Sequence, residues 1–232
     1  MHKYVRFLLP VIAIAFILNF AAAEASAQGV LKEILDRMDA NNKALKSLKS
    51  RIRLDKTDAV LNETDTKEGE LTYLPGRSEK QIHVRINWTR PVEEQLAVGN
   101  GEYVLYTPRR KQAIVGKVDS VKNKNSKAGG VLAFMSMTRA QLAENYQVQY
   151  AGDETVKSGV LAFHLVLTPK KPTSYKSADL WVDKNGMPVQ AKIVEKNNDS
   201  TTILLSDIQR NPTVNASIFK ISPPKGTAIV QG

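Results

Sequence analysis

Cysteine is absent from the 232-residue chain. Disulfides, thiolate zinc sites, iron–sulfur clusters and cysteine nucleophiles are therefore excluded. Histidine is scarce, with three in the chain, and the 13 glycines and 10 prolines are too few for a collagen-like or low-complexity sequence. The remaining composition, 42% hydrophobic and 24% charged, is ordinary for a folded domain and excludes wholesale disorder.

The charge is unbalanced toward the basic side. Lys and Arg number 33 against 23 Asp and Glu, so the formal net charge is +10. This excess either directs the protein to anionic surfaces or partners of the cell envelope or simply keeps it in solution, and both interpretations stay open. Nucleic acid is not an expected partner, because the chain begins with an export signal.

The first 27 residues have the pattern of a secretory signal peptide. Lys3 and Arg6 form the basic start, an apolar run follows from Phe7 to Ala23, and Ala25-Ser26-Ala27 fits the cleavage pattern. We expect cleavage after Ala27 and a periplasmic protein with one domain over residues 28–232. The alternative is an uncleaved anchor, for which this apolar run is at the short limit.

Two periodicities organise the rest of the chain. A helical period predicts one long helix over about Gly29–Ser50, which should pack one face on a sheet. A period of two then appears, most clearly in Gln81–Trp88, where apolar and polar residues alternate. Asn100-Gly101 between two short apolar runs is a strong hairpin signal.

The alternating segments predict about twelve strands in all. A loop over Asp119–Gly130 and two short helices within Val131–Tyr146 interrupt them, with Thr138 as the N-cap of the second helix. The predicted strands are Arg51–Leu61, Gly69–Leu74, Gln81–Trp88, Glu94–Gly99, Glu102–Thr107, Lys111–Val118, Gln147–Ala151, Gly159–Thr168, Ala178–Asp183, Val189–Lys196, Thr201–Gln209 and Phe219–Ile221.

A sheet of this size cannot stay flat, because strand twist accumulates. Its concave face must be filled by the helices or by a ligand. The expected fold is therefore mainly antiparallel β (α+β): a curled sheet of about 11–12 strands wrapped around one long N-terminal helix and two short helices.

Residues with catalytic potential form no recognisable constellation. His83 falls on the polar face of its strand and His164 lies between apolar neighbours, so we expect structural roles for both. The adjacent carboxylates Glu93-Glu94 and Asp153-Glu154 point to opposite faces of a strand and are expected to be rim charges. We therefore expect no catalytic residue, no metal site, no cofactor and no enzymatic activity.

Three segments stand out as candidate functional features. Val131–Met137 contains two methionines, which suit adaptable apolar binding surfaces, although an ordinary core helix would look the same. Arg109–Lys127 is strongly basic, with a solvated loop as the alternative. Gly159–Thr168 is apolar on both sides, which indicates a strand covered on both faces, whether by a binding partner or by plain packing.

Several short motifs follow one another in a definite order. They are Gly69-Glu70-Leu71, Asn87-Trp88 ahead of Pro91, Gln95–Val98 before the Gly101 hairpin, Tyr103–Pro108, Gln112, the helix pair in Val131–Tyr146, Leu180–Pro188, Ser206–Asn211, Phe219 and Pro223–Gly226. Together their order resembles the periplasmic outer-membrane lipoprotein carriers, the LolA-like proteins, over about Leu31–Val230.

This resemblance implies a curled, open half-barrel of about 11–12 strands, with one long N-terminal helix and a short helical lid over its hydrophobic concave face. Such a protein shields the acyl chains of lipoproteins and carries them from the inner to the outer membrane. It also implies an inner-membrane release complex and an outer-membrane acceptor as partners. A carrier of another lipid or glycolipid on the same fold is the first alternative. A lipid-sensing module of the envelope-stress response is a weaker one.

The expected lipid-binding residues are apolar side chains of the strands and the lid. They are Val84, Ile86, Trp88, Leu96, Val98, Leu105, Phe163 and Leu165 from strands, and Leu132, Phe134, Met135 and Met137 from the lid. One stretch departs from the family. Better-known carriers have a lid-latching arginine where this chain reads Thr72-Tyr73-Leu74-Pro75, which leaves Arg77 and Arg85 as candidate replacements.

Overall fold

A computed structural model describes residues 28–76, 81–117 and 137–232. Helix α1 covers residues 28–44 and helix α2 covers Arg139–Asn145. The strands are β1 Leu48–Asp58, β2 Glu63–Leu74, β3 His83–Arg90, β4 Glu94–Gly99, β5 Glu102–Thr107, β6 Gln112–Lys117, β7 Tyr146–Thr155, β8 Leu161–Pro169, β9 Tyr175–Asp183, β10 Pro188–Glu195, β11 Ser200–Arg210 and β12 Ala228–Gln231.

All twelve strands belong to one sheet, in the order β12-β6-β5-β4-β3-β2-β1-β11-β10-β9-β8-β7. Neighbours are antiparallel except β12, which runs parallel to β6. The pairing of β1 with β11 joins the two halves of the chain. Within the described ranges the order ends at β12 on one side and β7 on the other, so the sheet is open. The prediction of an open, mainly antiparallel half-barrel is confirmed.

Strand alternation gives the sheet two faces with different cores. The inner face, which packs against α1, buries a large cluster that includes Ile52, Ile86 and Leu180 together with Ile34 and Met38 of α1. Each such aliphatic side chain contributes about 1.5–3 kcal/mol when fully buried. The outer face carries a smaller cluster, formed by Val156, Ala162, Trp181, Val189 and Leu204.

Helix α1 is docked closely on the turn between β9 and β10. Gly186 has a positive φ of 80°, and a Cβ at this position would lie 2.2 Å from the Arg37 carbonyl oxygen. The Arg37 guanidinium donates to the Lys184 carbonyl at 3.1 Å, and the Asn41 amide contacts the Met187 sulfur at 3.5 Å. Glycine is therefore needed where the turn meets the helix backbone.

The predicted C-terminal end of the long helix is wrong. The helix stops at residue 44, and Leu48 begins β1. The Asn211 side-chain oxygen accepts hydrogen bonds from the backbone N–H of Lys46 at 2.7 Å and of Ser47 at 3.4 Å. Asn211 lies 165 positions from Lys46 in the sequence, and this polar contact ends the helix. Leu48 then lies on the inner face as part of a strand.

The predicted strand Phe219–Ile221 is also wrong. Ala216–Phe219 is a short 3-10 helix whose N-cap, Asn215, accepts a hydrogen bond from the Ser217 N–H. Phe219 is buried against His83, with ring centroids 5.5 Å apart. The last strand is instead β12, a four-residue segment with exposed side chains and little apolar alternation to reveal it.

Within the described ranges, no helix has the length and apolar character needed to cross a membrane.

A network of charges fixes β1 and β2 to each other on the outer face. Arg53 contacts Asp55 at 2.9 Å and Glu68 at 3.1 Å, and the Thr66 hydroxyl donates to Asp55 at 2.8 Å. Burial alone would raise the pKa of the Asp55 carboxyl. The hydrogen bonds from Arg53 and Thr66 oppose this effect, and the net result is a pKa below the ordinary value.

Candidate functional site

The strand register arranges apolar side chains of the inner face in two rows across β2 to β6. Cross-strand partners share a face, so each row is continuous. The first row is Leu71, Ile86, Leu96, Leu105 and Ile114, and the second is Tyr73, Val84, Val98 and Tyr103, with Gly116 of β6 as the backbone neighbour of Tyr103. The rows provide a continuous apolar surface on this half of the sheet.

Burial differs between the two halves of the inner face. On β8, β9 and β11, the side chains of Leu165, Leu180 and Ile203 are completely buried. On β4 and β5, Leu96 and Leu105 are only half-buried although they occupy the same face. The half of the face on β8, β9 and β11 is therefore filled core. The half from β3 to β6 retains accessible apolar surface at its half-buried side chains, beside the buried Ile86 and Trp88. That half is the candidate binding surface, and we call it the inner apolar surface.

The strand residues predicted for the site lie on the inner face. Ile86 and Trp88 are almost fully buried, whereas the other members from β3 to β5 are half-buried: Val84, Leu96, Val98 and Leu105. Phe163 and Leu165 share the face but belong to the filled half, with the Arg37 guanidinium 5.7 Å from the Phe163 ring centroid. Lipid contact by any of these residues stays a prediction.

Most of the predicted lid lies outside the described residues, including Leu132, Phe134 and Met135. Met137 is described, is half-buried, and packs against the inner core. The second predicted lid helix is confirmed as α2, and Thr138 caps it through a reciprocal pair of hydrogen bonds with Gln141. Leu142 of α2 is completely buried.

Polar contacts hold the start of α2 against α1. The Asn42 amide donates to the Met137 carbonyl at 3.2 Å, and the Arg139 N–H donates to Asp39 at 3.1 Å. The Arg139 guanidinium also pairs with Asp36. A hydrogen bond from Lys32, together with the charge of Arg139, lowers the pKa of Asp36. These part-buried and exposed contacts together fix the point where the chain enters α2.

Arg85 does not replace the latch arginine of better-known carriers. Its guanidinium lies on the outer face and donates to Asn87 at 2.7 Å and Gln95 at 2.8 Å. Burial there lowers the pKa of Arg85. Arg77 lies outside the described residues. In the stretch that matches the latch position, Tyr73 faces the inner core, and burial raises its pKa.

The histidines have packing partners on the outer face. His164 stacks on Trp181 with ring centroids 4.4 Å apart, and its Nε2 lies 2.9 Å from Asp179. The Trp181 indole donates to Glu154 at 2.7 Å. These contacts join the end of β7 to β9 on the face away from α1. In the described ranges, acidic and histidine side chains form no group that could hold a metal ion.

The sequence predictions missed several members of the inner apolar surface. Tyr73, Tyr103 and Ile114 belong to the two rows, and the alternation of β5 and β6 could have identified the last two. The predictions also missed that Lys67 and Glu94 form an ion pair beside this surface. The sequence predicts only a rim charge at Glu94, and no local pattern reveals its ion-pair partner, which is 27 residues away in the sequence.

An open antiparallel sheet with a helix on its inner face and an accessible apolar half defines the class of half-barrel proteins. Residues 44–222 match the family model described as "Outer membrane lipoprotein carrier protein LolA". The match covers well over half of the chain. The chain belongs to the LolA family.

Curated relatives agree with this family along their whole length. The Outer-membrane lipoprotein carrier protein of Pseudomonas fluorescens (strain Pf0-1) is 28% identical over 233 residues, covering 99% of each chain. The protein of the same name from Xanthomonas campestris pv. campestris (strain B100) is 27% identical, covering 99% of this chain and 98% of its own.

Solved structures show the same fold at low sequence identity. The crystal structure of MucB has a TM-score of 0.55 and 14% identity, covering 89% of this chain and 66% of its own. An uncharacterized conserved protein from Thermus thermophilus has a TM-score of 0.53 and 12% identity, covering 88% of this chain and 99% of its own. At these identities the likeness concerns the fold alone.

Proposed function

We propose that this protein is a periplasmic carrier that shields the acyl chains of lipoproteins and moves them from the inner to the outer membrane. The family match over residues 44–222 carries the proposal. The inner apolar surface supports it with a physical reason. Each methylene removed from water is worth about 0.8 kcal/mol, so a multi-chain lipid needs such a surface to travel through water.

The acyl chains are assigned to the half of the inner face between β3 and β6. Leu96 and Leu105 are half-buried there, whereas Leu165 and Leu180, which belong to the other half of the inner face, are completely buried. An acyl chain can therefore contact Leu96 and Leu105 without displacing core side chains. Met137, at the entry to α2, borders the same core and completes the proposed site.

The activity requires binding and release, with no chemical step. The proposed partners are acylated lipoproteins, an inner-membrane complex that releases them and an outer-membrane acceptor. The proposed location is the periplasm, after cleavage behind Ala27. N-terminal sequencing of the periplasmic protein should begin at Gln28, and a membrane-bound product that begins at Met1 would contradict the location.

The identity of the cargo is tested by purifying the protein from the periplasm and identifying the bound molecules by mass spectrometry. We expect acylated lipoproteins at a stoichiometry that falls when the inner apolar surface is made polar. A different lipid or glycolipid in their place would favour the alternative carrier. A preparation free of any lipid or lipoprotein, under conditions where the protein is folded, would contradict the proposal.

A further inference from the structure

The inner apolar surface is polar at one end. By strand alternation, Glu94 of β4, Thr107 of β5 and Gln112 of β6 share the inner face with Leu96 and Leu105, and Thr107 pairs with Gln112. These three side chains lie at the strand ends next to the first apolar row. Along the strands, the surface therefore runs from a polar edge to two apolar rows.

A half-buried ion pair occupies the polar edge. The Lys67 ammonium lies 2.5 Å from Glu94 Oε2, and the two side chains are 38% and 21% exposed. Between them in the sheet lies Trp88, which pairs with Glu94 on one side and with Gly69 on the other. Trp88 is only 6% exposed, so the ion pair stands against an apolar wall.

This pair has no net charge but keeps both kinds of hydrogen-bonding capacity. A lysine ammonium has three donors, and a carboxylate accepts through both oxygens, so one contact between them leaves groups for a ligand. An anionic ligand placed here is attracted by Lys67 but repelled by Glu94, and for a cationic ligand the reverse holds. Neither ion gains enough attraction to offset the loss of its own hydration, whereas an uncharged ligand avoids that cost.

We infer that the Lys67–Glu94 pair recognises the uncharged polar headgroup of an acylated ligand, such as the hydroxyl, ester and amide groups of a glycerol-type backbone. The acyl chains then extend from this edge along the two apolar rows. The inference rests on the proposed function, because it assigns the orientation of the cargo on the same surface.

The test compares ligands that share a 14-carbon chain, by design about equal in apolar length, and carry a neutral, an anionic or a cationic headgroup. Monomyristoylglycerol, myristate and tetradecyltrimethylammonium each displace a bound neutral probe, N-phenylnaphthylamine, whose fluorescence reports the apolar surface. For the unaltered protein we expect the neutral ligand to compete at about tenfold lower concentration than either ion, a difference of about 1.4 kcal/mol.

Variants of the pair should change this order in opposite directions. Glu94→Gln leaves Lys67 unpaired and should favour myristate, whereas Lys67→Met leaves Glu94 unpaired and should favour the cation, each by about tenfold relative to the unaltered protein. The exchanged pair, Lys67→Glu with Glu94→Lys, should restore the preference for the neutral ligand. Lys157→Met removes the ion pair with Asp55 on the outer face and should leave the order of the three ligands unchanged.

The outcomes separate this inference from the proposed function. If the probe binds but all variants keep the original order of ligands, the ion pair is structural only and the inference is wrong. The inference is also wrong if the variants of Lys67 and Glu94 lower the affinity equally for all three ligands. If the unaltered protein binds neither the probe nor any acyl ligand, the proposed function fails and the inference fails with it.

Discussion

Two adjacent residues of β5 offer the sharpest test of which face binds acyl chains. Leu105 lies on the inner face, in the middle of the first apolar row, between Leu96 and Ile114. Val104, its neighbour in sequence, lies on the outer face opposite Ala97. Both are half-buried. Aspartate at either position should therefore cost similar stability, about 1–2 kcal/mol.

The effects on binding should differ strongly between the two variants. Leu105→Asp removes contact with about three methylenes of a chain, which at about 0.8 kcal/mol each is roughly 2.5 kcal/mol. This corresponds to an acyl-probe affinity about 50-fold weaker, and the cost of desolvating the new carboxylate adds to the loss. Val104→Asp should leave the affinity within about twofold of the original.

Probe titration measures the affinity, and circular dichroism melting measures the stability of the same preparations. Equal affinities for the two variants would refute the assignment of the inner face as the binding surface. A loss of probe affinity in Val104→Asp alone would place binding on the outer face. A loss of the folded signal in Leu105→Asp alone would show that this residue is a core anchor and not part of an accessible surface.

Three further predictions concern the scaffold. Gly186→Ala should lower the melting temperature more than Gly226→Ala, because both glycines have positive φ but only the first meets a helix backbone at 2.2 Å. Because the Asp55 pKa is depressed, its contribution to stability is present above its unfolded pKa and is lost as the pH falls through the lower folded value. Melting at successive pH values should show this loss of stability below about pH 4, and the loss should be smaller in Asp55→Asn. Ser50→Ala should raise the free energy of unfolding by about 1 kcal/mol, because its buried hydroxyl has no hydrogen-bond partner in the described part of the chain. Ser47→Ala is the matched control and should lower stability, because its hydroxyl donates to the Pro212 carbonyl at 2.6 Å.

Local patterns were sufficient to predict most of the sheet. Glu94–Gly99 and Glu102–Thr107 have the bounds expected from the Asn100-Gly101 hairpin and the flanking apolar runs. The inward side of β3 followed from the alternation that includes Ile86. In these segments the local period and the tertiary packing favour the same structure, so sequence alone reveals it.

Long-range contacts explain what the sequence did not reveal. The end of α1 depends on Asn211, which reaches it from the far end of β11. The division of the inner face into filled and accessible halves depends on where α1 lies, so Leu165 and Leu96 look equivalent in the sequence, although only Leu165 is completely buried in the fold. The pairing of Lys67 with Glu94 likewise requires the sheet to bring β2 and β4 to either side of β3.

Photocrosslinking in the periplasm tests the central claim most directly. A photoreactive amino acid at Ile114, on the inner apolar surface, and one at Val115, on the outer face of the same strand, differ by a single position. Irradiation should yield an adduct that contains an acylated lipoprotein from position 114, about tenfold more abundant than the adduct from position 115. Equal adducts at both positions, or an adduct only at 115, would contradict the claim that this face of the sheet carries the acyl chains.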